Sequence, residues 1–310
     1  MSILVTGGAG FIGRWVVKEL LSKKYKVVAL DNLSNGSVEN IREFLKNPNF
    51  TFIRGNILTQ KKLGGTFKGG IDACIHLAAQ INVQESIDHP ERAFKNNVVG
   101  TCNVLEECRK RDAKLVLVGT CMVYDMAVSR PINERHPLKP ASPYASSKLA
   151  GEELALSYFH AYGLPVVVTR PFNTYGPFQK SNLEGGVISI FIKRNLEGKP
   201  LLVFGDGKQT RDLLYVEDCA DFITRAAFRK SAIGEVINAG SGKDVSINDL
   251  ALMICKDKRK IKHVSHPHLR SEIQKLVCDC SKAKRTLGWK LKTPLEEGIL
   301  KTTVWIKSQN

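Results

Sequence analysis

The sequence predicts an α/β fold, a doubly wound parallel sheet with a smaller C-terminal lobe. Three observations predict it. Apolar strand-like runs alternate with amphipathic helical stretches through the first half of the chain. A glycine-rich turn joins the first of those runs to the first helix. After Pro171 the alternation gives way to a stretch rich in Gly, Pro and Asn, and the chain ends in a polar, basic region.

The elements follow in chain order. Ser2–Thr6 is a short apolar strand, and residues 11–23 form the helix after it. Lys26–Asp31 is the second strand, closed by the turn formers Asp31, Asn32, Ser34, Asn35 and Gly36. Residues 49–54, 71–76 and 114–119 read as three more strands, with a long amphipathic helix over 90–110 between the last two. Pro143–Tyr162 is a helix and residues 164–170 a buried strand. Apolar strands alternating with helices imply a parallel sheet covered on both faces, and right-handed crossovers make it doubly wound. Further on, Val187–Leu196 reads as a helix, 199–211 as a short strand and polar loop, 213–228 as a strand then a helix, and 235–239 as a strand. Helices are expected near Ile247–Cys255, Ser281–Leu287 and 295–306. The expected division is a Rossmann domain of residues 1–170 plus 212–240 and a second lobe of 171–211 plus 241–310.

Composition bounds the function. The chain has 310 residues, 43% hydrophobic and 25% charged, enough for a sizeable core. No apolar run nears the roughly 20 residues that span a membrane. The start, MSILVTGGAG, lacks the basic and apolar stretches of a signal peptide, so a cytoplasmic location is expected. Eight cysteines are spread along the chain. Cys74, Cys102, Cys108 and Cys219 sit in apolar periodic segments, where a thiol acts as a small hydrophobe. Cys278 and Cys280 are too close for an ordinary bridge, and no paired CxxC frames a zinc site. All are expected to be reduced. The net charge of +16 raises nucleic acid as a partner, but the lysines are scattered among acidic residues and no nucleic-acid motif appears. A positive field equally suits an anionic dinucleotide and a diphosphate. Neither nucleic acid nor membrane is expected as a partner. His263, His266 and His268 surround Pro267, a polar-loop pattern, and no metal is expected.

The glycines Gly7, Gly10 and Gly13 lie between the first strand and the first helix. Such a turn lets backbone amides approach a pyrophosphate, with the helix N-terminus facing the negative charge. Asp31 ends the second strand, where its carboxylate can accept both hydroxyls of an adenosine ribose and repel a 2′-phosphate. NAD is therefore the expected cofactor. Tyr144 and Lys148, four apart on one helix, share a face. The ammonium is expected to lower the tyrosine pKa and make it a base near neutral pH. Thr120, at the end of the strand over 114–119, is placed to bind the same substrate hydroxyl.

Further motifs extend along the chain: TGGAGFIG, DNLSNG, HLAAQ at 76–80, NNVVGT at 96–101, VYD at 123–125 and SPYASSK at 142–148. RPFNTYGP at 170–177, GDGKQTRDLLYVEDCA at 205–220 and NAGSG at 238–242 complete the set. With them the sequence resembles the extended short-chain dehydrogenase/reductase family, specifically its NAD-dependent nucleotide-sugar epimerases and dehydratases, nearly end to end. The resemblance implies that Tyr144 is the general base, that Lys148 anchors the nicotinamide ribose, and that Thr120 holds the sugar 4-hydroxyl. It implies a cofactor cleft lined by Phe11, Ile12, Asn32, Asn56, Ile57, Leu77, Ala78, Ala79 and Pro171. Asn97 would support the active-site backbone. Asn173 and Arg211 would bind the substrate diphosphate, with Arg offering a planar fork for phosphate oxygens. Arg270 would contact the nucleotide, and the second lobe would bind the nucleotide-sugar, a UDP-sugar by family habit. A homodimer through the helices over 90–110 and 143–162 is implied as well.

Departures from the family pattern bear on the reaction. Asn56 stands where an aspartate is usual, Asp125 where a glycine is usual, and the Arg270–Glu272 spacing is one residue short. The 4,6-dehydratases carry an Asp-Glu pair directly after the catalytic threonine; here those positions, also facing substrate, are Cys121 and Met122. Met transfers no protons, and Cys121 would serve only if Lys148 or the cofactor lowered its pKa. The usual glutamate of UDP-glucuronate decarboxylases in this segment is missing too. A UDP-sugar 4-epimerase acting through transient C4 oxidation is the expected function. The alternatives are a 4,6- or 5,6-dehydratase, a UDP-glucuronate decarboxylase and a non-catalytic NAD-binding sensor or scaffold. The retained Thr120, Tyr144 and Lys148 argue against the last.

Overall fold

Strand β1, Ser2–Thr6, buries everything from Ile3 onward. Ile3 and Val5 join the core on one side of the sheet and Leu4 the core on the other, because successive strand side chains point to opposite faces. A strand apolar on both faces needs a neighbour on each edge and helices above and below. β1 has β2 (Lys26–Asp31) on one edge and β4 (Ala73–His76) on the other, both parallel. The computed structural model describes residues 1–128, 130–181, 186–266 and 269–309. Pro267 and His268 of the expected histidine loop lie outside them.

With β3 (Phe50–Arg54), β5 (Lys114–Val118), β6 (Val166–Pro171) and a late strand β10 (Val236–Ala239), the main sheet has seven strands in the order β3-β2-β1-β4-β5-β6-β10. All six pairings are parallel. The chain reverses its winding between β1 and β4, the switch point where such sheets leave a crevice at the carboxyl ends of their strands. Helices α1 (Phe11–Ser22) and α8 (Val216–Phe228) cover one face: Val16, Val17 and Leu20 meet Phe222 and Ile223 in one core. Helices α2 (Gln60–Phe67), α5 (Gly100–Arg109) and α6 (Pro143–Tyr162) cover the other, where Leu63, Val104, Leu105 and Ala155 pack on Leu115, Val166 and Val168.

The long helix expected over 90–110 is interrupted. It runs as α4 (Pro90–Phe94), a π-helical turn (Lys95–Val99) and then α5, after a short α3 (Val83–Asp88) that the pattern did not suggest. The π turn inserts one residue without changing the polar–apolar rhythm, and such bulges gather at functional sites. Helix α6 matches its expected bounds because both ends are signalled locally. Ser142 caps it by accepting from the Ala145 amide, Pro143 takes the first helical position, and Gly163 closes it in the left-handed conformation.

A smaller lobe stands at the carboxyl end of the sheet. β7 (Asn173–Tyr175), β9 (Thr210–Tyr215) and β11 (Asp244–Ser246) form one sheet in the order β11-β9-β7, and β8 (Leu201–Phe204) pairs with β12 (Ile261–Val264). Helices α7 (Val187–Leu196) and α9 (Ile247–Cys255) share a core with them through Ile188, Phe191, Val203, Leu213 and Leu250. Strand β9 runs unbroken across residue 212, where the expected domain boundary fell. Helices α10 (Ser281–Leu287) and α11 (Leu295–Ser308) close the chain. All eight cysteines are free thiols; Cys278 and Cys280 bring their sulfurs to 3.4 Å. No helix among the described residues is long and apolar enough to cross a membrane.

Candidate active site

A cleft of about 580 Å³ follows the carboxyl ends of the main sheet and continues into the smaller lobe. Its first wall is the glycine turn. Gly10 N donates to Gly7 O at 3.0 Å, and Gly13 packs so closely on this turn that a Cβ there would overlap the Gly7 carbonyl oxygen. Only a backbone without side chains fills that cradle, which leaves the first turn of α1 open to a ligand. Gly7, Gly10, Phe11, Ile12 and Gly13 all line the cleft.

Asp31 closes the same end. Its Oδ2 accepts from Ala9 N at 3.0 Å and its Oδ1 from Leu33 N at 2.8 Å. Burial raises its pKa, and those two amides offset only part of the rise. The carboxylate is thereby fixed against the glycine turn, with lone pairs left for ribose hydroxyls. Asn32, Asn56, Ile57, Leu77, Ala78, Ala79 and Pro171 complete this part of the wall. Asn56 spends its Oδ1 on Leu58 N at 2.9 Å. Asn97 does not line the cleft. It lies buried on the π turn, accepting from Gln80 N at 2.8 Å and donating to Gln80 O at 3.0 Å and Ser147 Oγ at 2.9 Å. It therefore braces the segment after β4 against α6.

At the centre of the cleft Thr120, Tyr144 and Lys148 come together. Ser142 and Pro143 start α6 where the Tyr144 amide donates to Ser86 Oγ of α3 at 3.0 Å. One turn on, Lys148 is buried and donates from Nζ to Val118 O at 2.7 Å. The pKa expectation for Tyr144 is overturned. Burial pushes the phenol up to about 12, against the opposing Thr120 hydrogen bond, while Cys121 and Glu152 raise it further. Burial likewise lowers Lys148 from 10.5 to about 8. The ammonium is turned to the β5 carbonyl, so desolvation outweighs its pull on the phenol.

Cys121 and Met122 follow Thr120 in a short 3₁₀ turn, which Thr120 Oγ1 caps by accepting from Met122 N at 3.2 Å. The thiol of Cys121 is buried and donates to Asn173 Oδ1 at 3.7 Å. A lowered Cys121 pKa, the condition for its use as a replacement acid–base group, is contradicted: burial pushes it up to about 12.

In the smaller lobe Arg211 reaches the cleft with its fork already engaged. Nη1 donates to Thr210 O at 2.7 Å and Ile273 O at 2.8 Å, and Nη2 pairs with Glu272. Glu272 also pairs with His266 Nε2 at 3.3 Å. Arg270, the expected nucleotide contact, is exposed and is not among the cleft residues. Glu272, two residues on, takes the place in the wall, consistent with the altered spacing of that segment. Phe204, Gln209 and His266 line the same end; Gln209 falls within the motif at 205–220 and His266 within the histidine loop, but neither was assigned a role from sequence, and Phe204 belonged to no motif. His263 bonds Asn248 Oδ1 at 2.9 Å instead of converging with His266, and no cluster of three metal-ligating side chains exists among the described residues.

The family described as GDP-mannose 4,6 dehydratase matches residues 4–302. The UDP-glucose 4-epimerase of Mycolicibacterium smegmatis is 34% identical over 317 residues, covering 100% of each chain. Among solved structures, Pal from Bacillus thuringiensis is 55% identical with a TM-score of 0.98 and 100% of both chains covered. The dTDP-glucose 4,6-dehydratase of Bacillus anthracis, solved in complex with NAD, is 32% identical with a TM-score of 0.90, covering 100% of this chain and 97% of that one.

Proposed function

The chain belongs to the extended short-chain dehydrogenase/reductase family of NAD-dependent nucleotide-sugar epimerases and dehydratases, and from that membership we propose that it is a UDP-sugar 4-epimerase. It is an enzyme of that class, and its cofactor is NAD. The side-chain-free cradle at Gly13 and the fixed carboxylate of Asp31 fit a dinucleotide. NAD, when bound, supplies acceptance and return of hydride at carbon 4. Tyr144 takes the 4-hydroxyl proton and gives it back, Thr120 holds the hydroxyl, and Lys148 carries positive charge beneath them. Burial raises the phenol pKa in the ligand-free protein, and the positive charges of Lys148 and of bound NAD would favour release of its proton.

One observation carries the choice of epimerase. Of the described residues lining the cleft, only Asp31 and Glu272 bear carboxylates. Asp31 belongs to the cofactor end, and Glu272 is paired with Arg211 and His266. The positions after Thr120 hold a neutral thiol and a thioether. Nothing there protonates a leaving 6-hydroxyl or removes a C5 proton by a carboxylate route, whereas epimerisation needs only Thr120, Tyr144, Lys148 and room for the 4-keto sugar to turn. Deuterated water tests the reading, with products from UDP- and dTDP-sugars followed by NMR. Epimerisation returns the original hydrogen to carbon 4 and places no deuterium on carbon. Deuterium at C5 or C6 with loss of water would establish a dehydratase instead.

The smaller lobe is proposed as the nucleotide-sugar side, with Asn173 and Arg211 on the diphosphate. The exposed Phe94, Val99 and Tyr162 on the helices over 90–110 and 143–162 are proposed as a homodimer face; sedimentation as a monomer at micromolar concentration would remove it.

A further inference from the structure

Beneath Thr120, Tyr144 and Lys148 lies a charged pair that none of the roles above uses. Glu152 follows Tyr144 and Lys148 at four-residue steps on α6, so the three share a face. It is 0% exposed, and its Oε2 accepts from Arg170 Nε at 2.8 Å and Nη2 at 2.6 Å. Arg170 is fixed in turn: Nη1 donates to the Tyr124 hydroxyl at 2.7 Å, which donates to Asn238 Oδ1 at 2.9 Å. The second carboxylate oxygen, Oε1, points at the backbone that carries Thr120, and a Cβ on Gly119 would overlap it. The Thr120 amide faces this oxygen without closing a hydrogen bond of normal geometry, so Oε1 is a buried acceptor with no hydrogen-bond partner among the described residues.

A buried carboxylate with a spare oxygen is costly unless its charge is used. We infer that Glu152 is a positioning residue: clamped by Arg170, its carboxylate seats the Gly119–Thr120 turn against α6 and sets the charge balance of Tyr144 and Lys148. The inference takes the roles of those two residues from the proposed reaction. A negative charge beside a phenol disfavours phenolate, and beside an ammonium it favours the protonated form. Glu152 accordingly raises both groups. The other groups facing them are few. Thr120 and Cys121 face Tyr144 from the end of β5. His76 of β4 faces Lys148 and stays neutral, since burial and the lysine lower it to about 3. Arg170 of β6 faces Glu152 itself. Glu152 is thus the negative charge that reaches both Tyr144 and Lys148.

The test is Glu152→Gln in the NAD-loaded protein. The Tyr144 titration is isolated as the difference in tyrosinate absorbance between each protein and the same protein carrying Tyr144→Phe. Its midpoint should fall by about one pH unit, the size expected for a unit charge removed one to two helical turns away at an intermediate dielectric. Both limbs of the pH profile of kcat should move to lower pH, while NAD affinity stays within about twofold. Should Glu152→Gln fail to fold because Arg170 is left unpaired, the double variant Glu152→Gln with Arg170→Gln removes both charges and should move the midpoint in the same direction by a smaller amount, because the opposing charge of Arg170, which lies farther from Tyr144 along the pair, is lost with it. An unmoved Tyr144 midpoint in either folded variant would overturn the inference and leave Glu152 a packing residue. Absence of turnover in the unaltered protein would reject the epimerase reading alone, because the absorbance titration needs no substrate.

Discussion

Replacing Lys148 by methionine should abolish turnover and make the NAD-free protein more stable at neutral pH. Lys148 is 8% exposed, and burial lowers its pKa from 10.5 to about 8. At about 1.4 kcal/mol for each pKa unit, the protonated side chain costs the folded state about 3 kcal/mol at pH 7. Methionine keeps the length and apolar contacts without the charge. It forfeits the 2.7 Å bond from Nζ to Val118 O, worth about 1 kcal/mol. The net expectation is about 2 kcal/mol of added stability at pH 7. The advantage shrinks with pH in a definite window. The folded pKa lies below the unfolded one, so between about pH 8 and 10.5 the unfolded chain binds more protons and the unaltered protein gains stability as pH rises. The variant, having nothing to titrate there, does not follow. Urea unfolding at pH 7 and pH 10, on cofactor-stripped protein, should show the advantage of Lys148→Met at the first and its near disappearance at the second. A variant less stable than the parent at pH 7, or an equal difference at both, would refute the claim that a buried charge is held there for function.

The remaining expectations concern the cofactor and the base. Tyr144→Phe keeps the ring and removes the proton carrier, so turnover should drop by at least about a hundredfold with the unfolding midpoint little changed; near-normal turnover would take Tyr144 out of the mechanism. Gly13→Ala drives a methyl into the Gly7 carbonyl, with the Gly7 carbonyl carbon and Gly8 Cα each 2.9 Å away. Backbone, unlike a side chain, cannot swing aside, and overpacking of about 1–3 kcal/mol should weaken NAD binding by about tenfold or more in calorimetry, an idea that unchanged affinity would sink. Asp31 should make the stripped protein prefer NAD to NADP, and Asp31→Ala should narrow that preference; equal affinities in the parent would show that Lys23, Lys24 and Lys26 outweigh the carboxylate.

What the sequence determined by itself is whatever is encoded over a few neighbouring residues. The glycine turn, Asp31 at the end of β2 and the Tyr144–Lys148 step were legible because turns, strand ends and helix faces are set by local spacing. Helix α6 was legible to the residue because Ser142, Pro143 and Gly163 mark its ends. The π turn at Lys95–Val99 was not, since one inserted residue leaves no mark on a hydrophobic pattern; nor were the pairings of β7, β9 and β11, which join segments far apart in sequence. Glu152 did continue the four-residue step of Tyr144 and Lys148, but nothing local signals that Arg170 meets it underground. The replacement of Arg270 by Glu272 in the cleft wall is likewise a matter of how a distant segment folds back on Arg211. Most telling are the charges. Sequence spacing places an ammonium near a phenol and suggests a lowered pKa, whereas the tertiary structure turns that ammonium to Val118 O, buries it, and packs the half-buried phenol into the cleft wall. Proximity along a helix is a property of the sequence; desolvation belongs to everything packed around it, and here desolvation is the larger effect.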